Sequence, residues 1–426
     1  MKTCIPSQLP KGKMSTSNVR HVGIFDVCIV GAGLSGAYAA HLLGLGGKSV
    51  AILDARRRVG GRLLTAGGEQ GGGGGGGDLG GAWIWPRSEY VMKKFTQRLQ
   101  IKSVAMHLDG ETMVRTPDGK RHVLPPGEAH RYAACGDGAV RISGGAASMV
   151  QKLLQDDENP NLSIHLGTRV IRIEHDDDAV SVIYVDSESN EPGETMSIQC
   201  RAAILAGPPK VLANTIDFHP PLPRIKMDSM LATPTWMEDY GKVVVSFPSN
   251  WWRSLNMSAI SIDQRGAVST WWEACSGDNE DGMHPSLGGF VTSRGAEELQ
   301  RIETAVSLHD YIMESLTNLY GVDAAKMGMQ KDTANTTTSG SVDRDGLIVE
   351  KRGITVTYKS WLKDLNTKPS SCMEVDIRCY YGDRHLQKSV GRLFFAGTET
   401  SHGNGHMEGA IISAQRAADE VIQYLG

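Results

Sequence analysis

Apolar residues near the N-terminus follow two different periods in turn. Residues 22–30, VGIFDVCIV, form a nearly continuous apolar run, typical of a strand that is buried on both faces. Residues 34–45, LSGAYAAHLLGL, place apolar side chains at helical spacing, and glycines follow. Residues 49–55, SVAILDA, are again a short apolar run. This pattern predicts a strand, a helix and a second strand.

Glycines occupy the turn between the first predicted strand and the helix. Gly31, Gly33 and Gly36 have the spacing G-x-G-x-x-G, which lets the backbone approach a pyrophosphate while the helix start offers free N–H groups. Asp54 closes the second strand, 23 residues after Gly31, where a carboxylate can accept ribose hydroxyls. The glycines alone would also fit a tight turn in any α/β protein. Together with both strands, the helix and the acid, they predict a dinucleotide site.

The overall composition narrows the class of protein. The chain has 426 residues, of which 40% are hydrophobic and 22% charged, so it is long enough for two globular cores. Its formal net charge is −4, and because lysine and arginine are scattered, we expect no nucleic-acid partner. The seven cysteines include no CxxC pair. We therefore expect no metal site and a reducing compartment.

Three features of the chain concern the cellular location of the protein and the flexibility of one segment. Residues 1–21 lack the apolar core of a signal peptide, and no apolar stretch is long enough to cross a bilayer. We expect a cytoplasmic protein without a transmembrane segment. The run Gly71 to Gly77 predicts a flexible surface linker.

Two more glycine pairs follow the second predicted strand. Gly60 and Gly61 lie in RRRVGGRLLT, next to Arg62, whose forked donors can answer a phosphate charge. Gly80 and Gly81 lie in DLGGAWIWP. Both pairs permit a close approach of the backbone to a ligand. The segment around Gly60 and Gly61 could instead be a basic turn exposed to solvent. A second glycine pair shortly afterwards makes that alternative less favoured than a ligand-binding role.

Near the C-terminus, an apolar strand leads into the last helix. Gly397 and Glu399 follow the strand, Gly403 and Gly405 come next, and the helix is predicted to begin near Met407. A helix start carries unpaired N–H groups and partial positive charge, which can stabilise a negative charge nearby. The glycines permit a close approach of the backbone to a ligand.

These segments together carry a family resemblance. VGAGLSGAYAA, LDARRRVGGR, DLGGAWI and LFFAGTETSHGNGHMEGAIISAQRAA resemble the four signature segments of the flavin-containing amine oxidases, a likeness spread from residue 24 to residue 424. The resemblance implies an α/β fold: a Rossmann-like, doubly wound FAD-binding domain with an interleaved α+β substrate domain. The FAD-binding domain would comprise 20–88, 141–232 and 372–426, and the substrate domain 89–140 and 233–371.

The resemblance also implies which residues hold the cofactor. Val170 would hold the adenine through its backbone, and Glu399 would face the ribityl and pyrophosphate region. We expect FAD to be bound non-covalently, although a thioether through Cys372 or Cys379 remains open. The full expected set is Gly31, Gly33, Gly36, Asp54, Ala55, Arg56, Gly61, Arg62, Gly80, Gly81, Ala82, Trp83, Val170, Trp361, Gly397, Thr398, Glu399, His406 and Met407.

Lys242 and His406 are the expected catalytic residues. Lys242 matches the family lysine that holds a water against flavin N5; a surface lysine at a strand start is the alternative. His406 replaces a tyrosine that forms one wall of an aromatic cage in many monoamine oxidases, and a protonated ring would repel an ammonium. Tyr380 and Tyr381 could complete the cage or lie in a half-buried strand. His402 is expected in a turn.

The resemblance implies oxidation of an amine to its imine by hydride transfer to flavin N5. Dioxygen would reoxidise the flavin and give hydrogen peroxide, and hydrolysis would yield a carbonyl and ammonia or an amine. The small amine and dioxygen are the expected partners; a homodimer is open. One alternative is an L-amino acid oxidase, for which Arg131 or Arg141 would bind the carboxylate. Another is a flavoprotein binding module without turnover.

Overall fold

The computed structural model describes most of the chain, and the secondary structure below refers to these residues. They are 19–67, 76–136, 138–155, 160–187, 194–275, 284–302, 305–324, 326, 338–343, 346–351, 353–369, 380–403 and 405–426. Cys372 and Cys379 lie outside the described residues, as do Gly71 to Gly75 of the glycine run.

The strands are numbered along the chain. They are β1 (Val19–Val30), β2 (Val50–Asp54), β3 (Trp83–Ile84), β4 (Ser103–Ala105), β5 (Glu111–Arg115), β6 (Arg121–Leu124), β7 (Val140–Ile142), β8 (Leu162–Leu166), β9 (Thr168–His175), β10 (Val180–Asp186), β11 (Thr195–Leu205), β12 (Asp217–His219), β13 (Gly241–Ser246), β14 (Met257–Asp263), β15 (Val268–Cys275), β16 (Ser286–Val291), β17 (Thr338–Asp343), β18 (Gly346–Lys351), β19 (Ile354–Ser360) and β20 (Leu393–Phe395).

The helices are numbered in the same way. They are α1 (Leu34–Leu45), α2 (Tyr90–Arg98), α3 (Ala129–Tyr132), α4 (Ser148–Leu154), α5 (Pro209–Thr215), α6 (Arg224–Ala232), α7 (Trp251–Ser254), α8 (Ser293–Gln300), α9 (Ala305–Tyr320), α10 (Arg384–Gln387) and α11 (Met407–Leu425). A 3-10 turn covers Thr398–Thr400. The predicted strand, helix and strand near the N-terminus are therefore confirmed as β1, α1 and β2, and the last helix begins at the predicted residue.

The first sheet contains the N-terminal βαβ unit. Its eight strands run in the order β12-β9-β10-β11-β1-β2-β8, with β20 added beside β11. The strands β20, β11, β1, β2 and β8 pair in parallel, whereas β10 is antiparallel to both of its neighbours. Apolar residues of α1, α4 and α11 pack against one face, and those of α5, α6 and α10 belong to a second core. Burial on both faces explains the continuous apolar runs of β1 and β2.

The second sheet carries the other large core. Its nine strands run in the order β17-β18-β19-β13-β16-β15-β14-β5-β6 and are antiparallel except for β14 and β5. Trp251, Trp252 and Trp271 lie in this core with apolar residues of α8 and α9. A separate three-stranded sheet, β3-β7-β4, includes the strand that follows Gly81. The exact domain boundaries proposed from the sequence stay a prediction.

Candidate active site

A cavity of about 880 Å³ has walls from both large sheets. The turn before α1, the two later glycine pairs, Lys242 on β13, Phe290 on β16 and the start of α11 all line it. A second cavity, of about 290 Å³, shares Asp54 and Arg56 with the first. The large cavity is lined by these predicted residues: Gly31, Gly33, Asp54, Arg56, Gly61, Arg62, Gly80, Gly81, Ala82, Trp83, Lys242, Trp361, Gly397, Thr398, His406 and Met407. Ala55 and Val170 line the smaller one.

The three glycines before α1 have different physical roles. Gly31 has a φ of +112°, a conformation that glycine adopts readily. A Cβ on Gly36 would lie 1.9 Å from the carbonyl oxygen of Gly31, so this glycine lets the helix pack on the strand and lies outside both cavities. Gly33 is extended, and a Cβ there would have its nearest protein neighbour at 3.9 Å. No side chain caps α1 at Gly33, and Leu34 and Ser35 of its first turn line the large cavity, so the helix start is available to an anion there.

This geometry makes a prediction for Gly33. Gly33→Ala should leave the fold intact, because its backbone is extended and the added methyl meets no protein atom closely. The methyl would instead occupy the space next to the helix start, so we expect FAD affinity to fall about tenfold or more. Titration of the apoprotein with FAD by flavin fluorescence measures this.

Gly23→Ala on β1 is the matched control, because its new Cβ meets only the Phe25 ring, at 3.1 Å. An unchanged FAD affinity in Gly33→Ala would contradict the assignment of this turn to the pyrophosphate.

Asp54 fixes the junction between the two cavities. Its Oδ2 accepts a hydrogen bond from the Ala32 N–H at 2.7 Å, and its Oδ1 accepts one from the Arg56 N–H, also at 2.7 Å. The carboxylate therefore ties the glycine turn to the loop after β2. Each oxygen has a further lone pair that can accept a ribose hydroxyl. The expected positions of the phosphates at α1 and of the adenine at Val170 are compatible with this arrangement and stay predictions.

Arg62 forms a two-pronged ion pair with Glu399. Its Nη1 and Nη2 donate to the two carboxylate oxygens at 2.6 and 3.0 Å, and the Trp236 N–H also donates to Glu399, at 3.1 Å. Burial opposes the charge on Arg62, but Glu399 outweighs it and holds the pKa of Arg62 above its usual value. Glu399 is fully buried and lines neither cavity. Both of its oxygens are held by Arg62 and one also by the Trp236 N–H, and its expected position facing the cofactor stays a prediction.

Lys242 is a buried lysine in the wall of the large cavity. Its Nζ donates to the carbonyl oxygen of Gly80 at 2.6 Å. The rings of Trp83, Trp272 and Phe290 lie 5.0 to 5.3 Å from Nζ, within reach of cation–π attraction. Burial lowers the pKa of Lys242 to about 8, and a nearby carboxylate opposes that shift.

That carboxylate belongs to Asp78, which the sequence analysis did not single out. Asp78 accepts hydrogen bonds from Thr65 Oγ1 at 2.6 Å and from the Ala146 N–H at 3.0 Å. Burial raises the pKa of Asp78 to about 6, although both hydrogen bonds and Lys242 oppose the shift. In the sequence, Asp78 was marked only by its position as the first residue of the segment DLGG, directly before the Gly80–Gly81 pair.

Several aromatic side chains line the large cavity together with the glycine turns. The His406 imidazole stacks on the Trp85 indole with centroids 4.5 Å apart and an interplanar angle of 17°. Trp236 meets His406 edge-on at 5.8 Å. Tyr240 and Phe290 also line the cavity. Of these rings, sequence reasoning identified only His406. Trp85 lies in the quoted segment DLGGAWIWP but was not singled out, and Trp236, Tyr240 and Phe290 lie outside the quoted motifs.

Several candidates lie away from the cavity. Arg131 is exposed and pairs with Glu128 at 3.0 Å. Arg141 is buried and donates to the carbonyl oxygen of Ala274. Tyr380 is 76% exposed, and the Tyr381 hydroxyl donates to the Pro234 carbonyl at 3.0 Å. None of these four lines either cavity, and neither does His402, which is exposed in a turn.

Two features are absent from the part of the chain that the structure describes. Among the described residues, no group of three or more His, Cys, Asp or Glu side chains is placed to hold a metal ion. In the same part of the chain, no helix has the length and apolar character needed to cross a bilayer.

Comparison with known proteins places this site in a family. The family model described as flavin containing amine oxidoreductase matches residues 128–422, and that for an NAD(P)-binding Rossmann-like domain matches residues 29–99. The chain is 24% identical over 498 residues to amine oxidase [flavin-containing] B of Bos taurus, covering 94% of this chain and 86% of that protein. It is also 24% identical over 504 residues to amine oxidase [flavin-containing] A of Equus caballus, covering 95% and 86%.

Two solved structures have a similar fold. Cyclohexylamine oxidase from Brevibacterium oxydans IH-35A matches with a TM-score of 0.68 and 20% identity, over 94% of this chain and 99% of that one. Wild-type putrescine oxidase bound to putrescine matches with a TM-score of 0.65 and 18% identity, over 95% and 100%. The predicted fold class, a Rossmann-like α/β fold, is confirmed. The chain therefore belongs to the flavin containing amine oxidoreductase family, as an oxidoreductase that acts on CH–NH₂ or CH–NH groups with FAD as its cofactor.

Proposed function

We propose that this protein oxidises a small, mainly apolar amine to its imine, which water then converts to a carbonyl compound and ammonia or an amine. The observation that carries the proposal is Lys242, held at Gly80 in the cavity wall beside a chamber of aromatic rings. The bound flavin supplies the acceptor for a hydride equivalent at N5 and is reoxidised by dioxygen, which yields hydrogen peroxide.

The aromatic chamber accounts for deprotonation of the substrate. Trp83, Trp85, Tyr240 and Phe290 offer apolar surface and few polar partners to an ammonium. Desolvation there lowers the pKa of the amine, so that it loses its proton without a dedicated base. The same surface excludes water from the reacting carbon.

The start of α11 supports the reduced cofactor. Met407 and Ala410 of its first turn line the cavity, and no side chain caps the helix at His406. Its free N–H groups and partial positive charge can stabilise negative charge in the cavity. Lys242, when protonated, adds a second positive group.

The positions of two arginines argue against an L-amino acid oxidase. Such an enzyme needs a cation that faces the substrate carboxylate. Arg131 is paired on the surface, and Arg141 donates to the carbonyl of Ala274 and lies 3.7 Å from Glu273.

Non-covalent attachment of FAD is also part of the proposal. Among the described residues that line the two cavities, Cys135 is the one cysteine, and it lies beside Trp85 in the aromatic part of the lining.

Anaerobic mixing tests the proposed function. The purified holoprotein is mixed with benzylamine, cyclohexylamine, putrescine or L-phenylalanine, and the visible absorption band of oxidised flavin is followed. We expect the two monoamines to bleach the flavin and, after air is admitted, to give peroxide. Bleaching by L-phenylalanine alone would replace the proposal with the amino acid oxidase. A flavin that none of the four reduces would favour the binding module.

A further inference from the structure

A buried carboxylate stands directly behind His406. Glu89 is 6% exposed and precedes the first residue of α2. Its Oε1 lies 2.9 Å from Nδ1 of His406, and its Oε2 accepts the backbone N–H of Trp85 at 3.0 Å. Both oxygens therefore have a partner, and the two partners are the residues whose rings stack on each other in the cavity wall.

The stacked pair has a defined orientation. The Trp85 indole N–H donates to the carbonyl oxygen of Cys135 at 2.8 Å, so the indole cannot rotate without losing that bond. The imidazole lies parallel to it, and Trp236 closes one edge. Glu89 thus binds both residues of the stack: His406 through its imidazole Nδ1, and Trp85 through its backbone N–H.

The carboxylate also decides where the imidazole carries its proton. An ionised carboxylate only accepts hydrogen bonds, so Nδ1 must be the donor. In a neutral imidazole with its proton on Nδ1, Nε2 is an acceptor. The His406–Glu89 pair then has a formal charge of −1, or zero if the ring is protonated. With the carboxylate ionised, neither state of the ring makes the pair positive, so the repulsion of an ammonium expected for a lone charged histidine is cancelled.

We propose that Glu89 is a positioning residue that fixes His406 with its proton on Nδ1, so that the imidazole offers Nε2 as a hydrogen-bond acceptor to the N–H of the substrate amine. This inference rests on the proposed function. It adds a polar contact to an otherwise aromatic wall, and such a contact would orient the amine nitrogen.

Glu89→Gln should move the imidazole proton of His406 while leaving the geometry of the His406–Trp85 stack unchanged. The backbone N–H of Trp85 requires an acceptor, so the amide oxygen of glutamine should face it, and the amide NH₂ should face His406. An NH₂ group donates, so Nδ1 becomes the acceptor and the proton moves to Nε2. The stack is retained, but the acceptor offered to the substrate becomes a donor.

Two measurements test the inference. Two-dimensional NMR of ¹⁵N-histidine-labelled holoprotein, with His406 assigned from His406→Phe, should show the proton on Nδ1 in the natural protein and on Nε2 in Glu89→Gln. Anaerobic stopped-flow reduction of the flavin over a series of benzylamine concentrations should give an apparent dissociation constant raised about tenfold or more in Glu89→Gln, the effect of losing one substrate hydrogen bond. In the His406→Phe background, Glu89→Gln should add little further loss.

Glu408→Gln is the matched control. Glu408 also binds the start of α2, accepting the N–H groups of Val91 and Met92 at 2.7 and 3.2 Å, and the variant removes the same charge. We expect it to leave the tautomer and benzylamine binding unchanged. An unchanged tautomer in Glu89→Gln, or a shifted tautomer with unchanged benzylamine binding, would overturn the inference. Failure of all amines to reduce the natural flavin would instead overturn the proposed function, and the tautomer would still be measurable.

Discussion

Replacing Lys242 by methionine should lower the rate of flavin reduction by benzylamine about 10²- to 10³-fold, the usual effect of removing one preorganised donor from an active site. Methionine keeps the length and apolar stem of the side chain, so the rings of Trp83, Trp272 and Phe290 keep a neighbour. FAD should stay bound, because the glycine turns and Asp54 are unchanged. Stopped-flow absorbance of the flavin measures the rate.

The pH dependence of the same rate should identify the lysine. The substrate amine loses its proton as the pH rises, which increases the rate. Burial places the pKa of Lys242 at about 8, so above that pH the positive charge that would stabilise a reduced flavin is lost, and the rate should fall again. Lys242→Met should lose the falling limb near pH 8 and keep the rising one.

Lys210→Met serves as the control for both measurements. Lys210 pairs with Glu238 at 3.4 Å and does not line either cavity. We expect its reduction rate and pH profile to match the natural protein. A falling limb that persists in Lys242→Met would show that another group titrates.

Glu399→Gln should lower the free energy of unfolding by about 3 kcal/mol, the effect of removing one partner from a largely buried ion pair. Glu399 is fully buried, while the Arg62 side chain is 26% exposed. The amide loses one of the two charge-assisted bonds and leaves Arg62 without a counter-ion. Because Arg62 lines the cavity, FAD affinity should fall as well. Urea denaturation with and without excess FAD measures both effects.

Glu420→Gln provides the comparison for that variant. Glu420 pairs with Arg416 at 3.1 Å along α11, with both side chains partly exposed. Such a pair contributes about 0.3–0.5 kcal/mol, so its loss should hardly move the urea midpoint. Equal effects of the two substitutions would mean that the Arg62–Glu399 pair adds nothing beyond an ordinary surface pair.

The local parts of this site were predictable from the sequence. The apolar runs of β1 and β2 and the helical spacing of α1 depend on nearby residues, as do the glycines that a close backbone approach requires. Asp54 was predictable because its distance from Gly31 along the chain is set by one strand and one helix. Lys242 was found only through the resemblance to a family, since a lone lysine on a strand has no local signature.

The partners of these residues depend on the tertiary structure. Glu89 meets His406 across 317 positions of sequence, and Arg62 meets Glu399 across 337. No periodicity or motif spacing links residues so far apart. The sequence by itself determined the βαβ unit, the glycine turns and the helix that begins at Met407, because short-range sterics and hydrogen bonding dictate them. Only the tertiary structure decided that Glu89 contacts His406, that Glu399 pairs with Arg62, and that several tryptophans line one cavity, because burial brings together charges and rings that lie far apart along the chain.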